Sequence, residues 1–490
     1  MKLRLLWHIV RRQFITQRLV IIPFILAVSV LFMIEYTLVS IGLNSYIKQK
    51  NDFLVPFIII ANFFMALLTF IFIFYANHFM MSQRRKEFSI FMTLGMTKKS
   101  MRLIVVMETI LQFVIISVVS IAGGYLLGAI FFLFIQKIMG SEVATLRYYP
   151  FDSVAMFITL IIIAVLMGML LIFNLFSINF QRPITYQHRS DSSVISRWLR
   201  YVLIVIGSAA LYLGYFIALQ QDTTFGAFFK IWIVIGLVII GTYAFFVGIS
   251  EIIISILQQV SKVYYHPRYF FVVVGMRVRL KMNAVSLATI TLLCTFLIVT
   301  LTMTLTTYRD MNHTITKLIT NDYDLSFSDN SKSQIQKLSK KYDASINSKS
   351  EMLMVWDRLT GGLIFVGGVV SIVLVIGIFL MMYYKQVSEA YANQHNYDIM
   401  KKLGLDNGRI AKITRNQMTF LFAIPITVAL IHTLISSNIV YTLLNMIGIN
   451  NHHIFLTSYV LAVIIISFLY MAMYKITSYI YAKVIHQQRN

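Results

Sequence analysis

The sequence predicts an all-α integral membrane protein: ten transmembrane helices in two similar halves, with a small extracellular α+β insertion between helices 7 and 8. Three observations lead there. The 490-residue chain is 58% hydrophobic and only 12% charged, with a mean hydropathy of +0.77, more apolar surface than a soluble chain of this size can hide. Ten apolar runs reach the roughly 20 residues that a bilayer core asks of a helix. Two stretches, 84–108 and 393–417, repeat one pattern at an offset of 309 residues.

The runs fall at about 19–43, 54–81, 103–139, 153–178, 201–219, 231–257, 284–307, 359–384, 417–444 and 454–482. Residues 1–53 form an N-terminal amphipathic helix and the first span. Leu3, Leu6, Ile9, Val10 and Phe14 share one helical face there, among basic residues. That suits a helix on an anionic inner leaflet, or equally a plain extension of the span. Residues 54–200 hold spans 2–4, the first repeat. The third run is too long for one upright span, so its start at 103–108 projects from the membrane as a helix. Gly123, Gly124 and Gly128 in it let a neighbouring helix come close, or equally serve only to make the helix flexible. Residues 201–283 hold spans 5 and 6 and a cytosolic linker, 284–307 span 7, and 359–490 the second repeat with spans 8–10.

The outer segment 308–358 reads as a miniature strand–helix–strand unit. Tyr323, Leu325 and Phe327 alternate with Asp324, Ser326 and Ser328, as in a half-buried strand. Asn330 or Ser331 caps a short helix carrying Ile335, Leu338 and Tyr342, and 352–356 is a second extended piece. A partly disordered linker is the alternative.

Charge sets the orientation. Lys and Arg gather at the N-terminus and in 82–102, 179–200, 258–283 and 385–416, whereas 445–453 has none. The positive-inside rule then puts both termini in the cytoplasm of a multi-pass plasma-membrane protein. The same clustering accounts for the net charge of +23 without nucleic acid, since no reader motif accompanies it. The one cysteine, Cys294, lies in an apolar run and is read as a packing residue. The first run is too long for the h-region of a signal peptide, so no cleaved leader is expected.

No catalytic or phosphate-cradling motif appears, so the chain is not expected to be an enzyme and no catalytic residues are assigned. His452 and His453 lack a third ligand, so no metal site is expected. Glu35 is a carboxylate deep in the first span, where such a group is expensive. It belongs either to a substrate path or to a structural hydrogen bond. With Tyr323, Phe327 and Trp356 it makes a candidate outer surface for an amphiphile or a lipid headgroup, although Tyr323 and Phe327 equally suit the small core of the outer segment itself. Glu108 aligns with the neutral Gln417 and is read as a helix-packing contact.

The duplicated loops are the most informative feature. Each has an amphipathic stretch, a Leu-Gly reversal and a basic helix that re-enters the membrane. The first copy has Glu87, Phe88, Ile90, Leu94 and Gly95; the second has Asn396, Tyr397, Ile399, Leu403 and Gly404. Topology needs charge there but no repeated pattern, and the glycines permit the reversal. Each loop is a handle for a soluble partner.

At these residues the chain resembles the FtsX/MacB-type permease superfamily of ABC transporters, through Glu87-Phe88 followed by Leu94-Gly95. The second half is similar to the bacitracin-resistance, BceB-type permeases, through Tyr383-Tyr384-Lys385-Gln386-Val387-Ser388-Glu389 and then Leu403-Gly404, Gln417, Pro425 and His432. Tyr474-Lys475-Ile476-Thr477-Ser478-Tyr479 resembles their closing segment. The resemblance implies two FtsX-like repeats in one permease chain, served by a homodimer of a separate ABC ATPase. ATP and Mg belong to that ATPase; this chain binds no cofactor. It further implies resistance to, sensing of or export of amphiphilic antimicrobial peptides or peptide–lipid complexes, with membrane lipids and a membrane histidine kinase as further partners. One departure is the outer insertion of about fifty residues, far smaller than the family's. It keeps open a second reading: a non-transporting FtsX-like scaffold that controls a histidine kinase or a cell-wall hydrolase.

Overall fold

The computed structural model describes residues 3–50, 54–138, 145–179, 197–220, 224–259, 267–319, 349–402, 406–446 and 448–486. Twelve α-helices and one 3-10 turn (Leu146–Tyr148) make up these residues, and no strand occurs among them. In order they are α1 (Leu3–Thr16), α2 (Arg18–Leu43), α3 (Ser45–Lys50), α4 (Leu54–Thr93), α5 (Lys98–Ile138), α6 (Ser153–Asn179), α7 (Arg197–Leu219), α8 (Thr224–Gln259), α9 (Pro267–Ile319), α10 (Lys349–Lys402), α11 (Asn407–Met446) and α12 (His452–His486).

Among the described residues nine helices are long and apolar enough to cross a bilayer, so the chain is a multi-pass membrane protein. The second of the ten predicted runs falls on α4, where the apolar stretch Ala61–Asn77 is shorter than the other nine although α4 itself has 40 residues.

Several helices continue far past their apolar runs. α4 and α5 run through most of the basic stretch 82–102 and leave only 94–97 between them. α9 continues to Ile319 and α10 begins at Lys349, so residues 352–356 are helical and not extended. Met352, Leu353 and Met354 are good helix formers, and no Gly or Pro separates them from the span, so the span's helix propagates outward. The predicted strand at 323–328 and helix near 330–342 lie outside the described residues.

The two halves repeat one packing plan. α2 lies against α4, α5 and α6, and α9 lies against α10, α11 and α12. The halves meet through α4 and α10, which are equivalent helices by sequence, as a two-fold arrangement of the repeats requires. At that contact the Phe72 ring sits against Gly377, where no Cβ would fit. Leu38, Met65, Phe72, Leu287, Val369 and Phe422 belong to one core that joins both halves. The α7–α8 hairpin packs on α9 and α11 and reaches this core through Phe246.

The glycines of α5 serve the close approach expected of them. Tyr36 of α2 fills the space over Gly124, Thr37 Oγ1 donates to the Gly124 carbonyl (3.1 Å), and Ser120 Oγ donates to the Ser29 carbonyl (3.2 Å). α1 docks on α5: Val10 is buried against Ile104, with Ile9, Phe14, Met96 and Met107 around them. Trp7 and Ile15 of α1 stay exposed.

Candidate functional site

The first Leu-Gly reversal closes α4 with a Schellman pattern. Gly95 N–H donates to the Met92 carbonyl (3.1 Å) and Met96 N–H to the Phe91 carbonyl (2.9 Å), with Gly95 at φ +87°. The left-handed conformation is the physical content of the glycine at this position. Met96 then turns back with Phe91 and Met92 onto a small core of Met81, Phe88, Met101, Val105 and Ile178. Leu94 is left outside, 78% exposed, and Ile90 is 46% exposed, beside the exposed Lys98 and Lys99. The turn therefore holds up an apolar tip with a basic rim on a rigid mount.

Behind the tip, α1, α4 and α5 are joined by buried polar groups. Arg84 and Glu108 form an ion pair, both almost fully buried. Arg84 Nη2 also donates to Gln13 Oε1 on α1 (2.8 Å), and its guanidinium lies 5.1 Å from the Phe88 ring centre. Gln112 Nε2 reaches the other Glu108 oxygen (3.4 Å). At the break between α1 and α2, Gln17 Nε2 donates to Glu87 Oε1 (2.6 Å). Glu87 and Phe88 thus face into the protein, and only Leu94 and Ile90 face out. Glu108 is the packing contact expected of it, with Arg84 as the partner that the sequence reading counted only as a topogenic charge. One signal pointed to that partner. An acid that stays ionised in an apolar run calls for a cation at its depth, and Arg84 lies 10 residues before Leu94 as Glu108 lies 11 after Thr97.

In the second half Asn396 and Tyr397 lie on α10, and Leu403 and Gly404 fall outside the described residues. The preceding motif sits at the junction of the halves. Tyr384 OH donates to the Val20 carbonyl on α2 (3.3 Å). Glu389 pairs with Lys385 (3.7 Å) and accepts from Asn283 Nδ2 on α9. Gln386 is fully buried, with no hydrogen-bond partner for either amide atom among the described residues. Ser388 lies on the same helix. Gln417 is buried on α11, and Pro425 is inside that helix.

His432, also on α11, holds the α7–α8 hairpin. Its Nδ1 is 2.5 Å from Tyr215 OH and its Nε2 is 3.2 Å from Thr242 Oγ1. Because Thr242 donates to the Val238 carbonyl (2.5 Å), its oxygen receives the Nε2 proton, which leaves Nδ1 to accept from Tyr215. Sequence reasoning did not find Gln13, Asn283, Tyr215 or Thr242, because each is recruited from a different helix.

Of the four residues assigned to the outer surface, Glu35 and Trp356 fall among the described residues. Glu35 is 1% exposed and belongs to the interior of the first half, not to a surface. Trp356 lies in the first turns of α10, while Tyr323 and Phe327 fall outside the described residues.

Residues 59–180, which span α4 to α6 with the turn and the Arg84–Glu108 pair, match the family described as FtsX-like permease C-terminal. The bacitracin export permease protein BceB of Halalkalibacterium halodurans is 25% identical over 280 residues, which is 54% of this chain and 42% of the relative. The protein of the same name from Bacillus subtilis is 23% identical over 275 residues, with the same shares. The match thus spans less than half the length of these curated relatives. Residues 59–180 thus carry an FtsX-like permease domain, and the chain is similar to the BceB proteins over about half its length.

Proposed function

We propose that this chain is the permease subunit of an ABC transporter that acts on antimicrobial or other amphiphilic peptides, or on peptide–lipid complexes, in the plasma membrane. A separate ATPase drives it, in two copies, and binds the ATP and Mg; this chain contributes no catalytic group. The loop charges put both termini and both Leu-Gly reversals on the cytoplasmic side. The observation that carries the reading is the Gly95 turn, whose exposed Leu94 and Ile90 are backed by the buried Arg84–Glu108 pair. An apolar tip on a braced mount suits a groove in a soluble partner.

The mount also gives the partner a purchase on the membrane. α4 and α5 run unbroken from the turn for 40 and 41 residues. At about 1.5 Å per residue each is a strut of about 60 Å, long enough to carry movement of the turn across the bilayer. The outer ends of α2, α9 and α10, with residues 323–356, form the assigned recognition surface for the peptide or its lipid. A membrane histidine kinase is the further partner that a sensing role requires.

The experiment is co-purification and ATP turnover with the cognate ATPase. Leu94→Asp should abolish both while the permease still inserts, and peptide-stimulated turnover should accompany protection of cells by the parent. Undiminished assembly and turnover in Leu94→Asp would reject the assignment of the tip. Partner activation without protection would favour the signalling-scaffold reading.

A further inference from the structure

Glu35 is used by nothing described so far. Both of its carboxylate oxygens are buried without a hydrogen-bond partner among the described residues, as are Asn62 Oδ1 and Thr69 Oγ1 on α4. α2 and α4 are antiparallel neighbours, and Ile58 lies so close to Gly42 that a Cβ there would be 3.0 Å from Ile58 Cγ2. Counting back from that contact puts Glu35 about level with Met65, with Asn62 about one turn nearer Gly42 and Thr69 about one turn farther away. Leu31, Leu38, Ile58, Ala61 and Met65 on the same faces are fully buried. The α2–α4 seam is therefore a dry strip with four orphan oxygens, closed at one end by Gly42 and Ile58.

Among the described residues no cation lies within this seam; Lys48 of α3, beyond its Gly42 end, is exposed. α6 has no charged residue, and α10 has none between Thr360 and Lys385. On α5 only Tyr125 is ionisable between Glu108 and Lys137, and on α4 only Tyr75 and His78 before Arg84. On α2 the adjacent Tyr36 is the one other ionisable group between Arg18 and Leu43. Arg84 is committed to Glu108 and Lys385 to Glu389. A bare carboxylate in such a place carries a cost far beyond that of the neutral acid.

We propose that Glu35 is an exchangeable-proton site, and that the α2–α4 seam closes around the protonated acid and opens around the carboxylate. Opening lets the acid give its proton to water; closing takes one back, and no other bond changes. Because α2 packs on α4, α5 and α6, a charge created at Glu35 acts on the whole first half. The inference stands on the seam alone and does not require the transport reading.

The test uses the full chain in lipid nanodiscs, in a Cys294→Ser background with Met65→Cys as a reporter in the seam. Reaction of that thiol with N-ethylmaleimide is compared at each pH between protein with Glu35 and protein carrying Glu35→Gln, so that thiol ionisation cancels. The ratio should be near one at acidic pH and rise several-fold at alkaline pH, and Glu35→Asp should keep the rise. The infrared band of a protonated carboxyl should be present at neutral pH and be lost in Glu35→Gln. A ratio that stays flat with pH, or an infrared spectrum unchanged by Glu35→Gln, overturns the proposal.

Discussion

Tyr75 and Tyr384 stand 309 residues apart, the same offset that separates the two Leu-Gly reversals, and each reaches into the opposite half. Tyr75 OH on α4 donates to Ser286 Oγ on α9 (3.3 Å), and Tyr384 OH on α10 donates to the Val20 carbonyl on α2 (3.3 Å). In each case the second span of one half bonds to the first helix of the other. Duplication has left a pair of crossed ties where the halves meet.

Removing a tie should therefore cost little and removing both should cost the sum. Each neutral bond contributes about 1 kcal/mol, so Tyr75→Phe and Tyr384→Phe should each lower the thermal midpoint in detergent slightly. The double variant should lower it by the added amount. A double variant as stable as the parent would show that the ties contribute nothing.

The Arg84–Glu108 pair should behave in the opposite way. Losing one member strands a buried charge, at about 3–5 kcal/mol, whereas replacing both with apolar side chains of similar size is often tolerated. Arg84→Met or Glu108→Met alone should sharply lower the unfolding midpoint, and the double substitution should recover most of it. A double variant as unstable as the two singles summed would mean that Gln13 and Gln112, not the pair, hold the hairpin.

Gly95 offers a cleaner test, because nothing lies within 4 Å of where its Cβ would be. The cost of a side chain there is conformational, about 1–2 kcal/mol for an ordinary residue in the left-handed region. Gly95→Val should weaken ATPase co-purification while insertion persists, and Gly95→Asn should do so less, since asparagine tolerates that conformation. Equal effects of the two would point to a contact rather than to φ.

Orientation is tested from outside the cell. In a Cys294→Ser background, Ser333→Cys should react with an impermeant thiol reagent on intact cells, as the loop charges require. Labelling only after lysis would invert the topology.

The spans were legible because length and apolarity alone decide whether a helix crosses a bilayer. The reversal at Gly95 was legible because a left-handed residue leaves a local mark, and because the mark occurs twice. Arg84 was not, since a cluster such as Arg84-Arg85-Lys86 does not say which member turns inward; Glu108, 24 residues away, decides that. Residues 352–356 were misread because five apolar and sulfur-bearing side chains in a row have no period of their own, and the adjoining helix imposed one. The sequence leaves Glu35 open between a substrate path and a structural hydrogen bond, because its burial against α4 is not reported by the local sequence around it.

The seating of Phe72 on Gly377 has a mechanical meaning. The ring rests directly on bare backbone, so at this level a side chain of α4 meets the main chain of α10, and the contact divides α4 as a fulcrum divides a beam. From Phe72 the beam extends 21 residues to Thr93 and 18 to Leu54, arms of about 32 Å and 27 Å. With arms so nearly equal, a push of about 5 Å at the Thr93 end swings the Leu54 end by about 4 Å in the opposite sense. Filling the bearing with Gly377→Leu should jam that see-saw without touching either end of it.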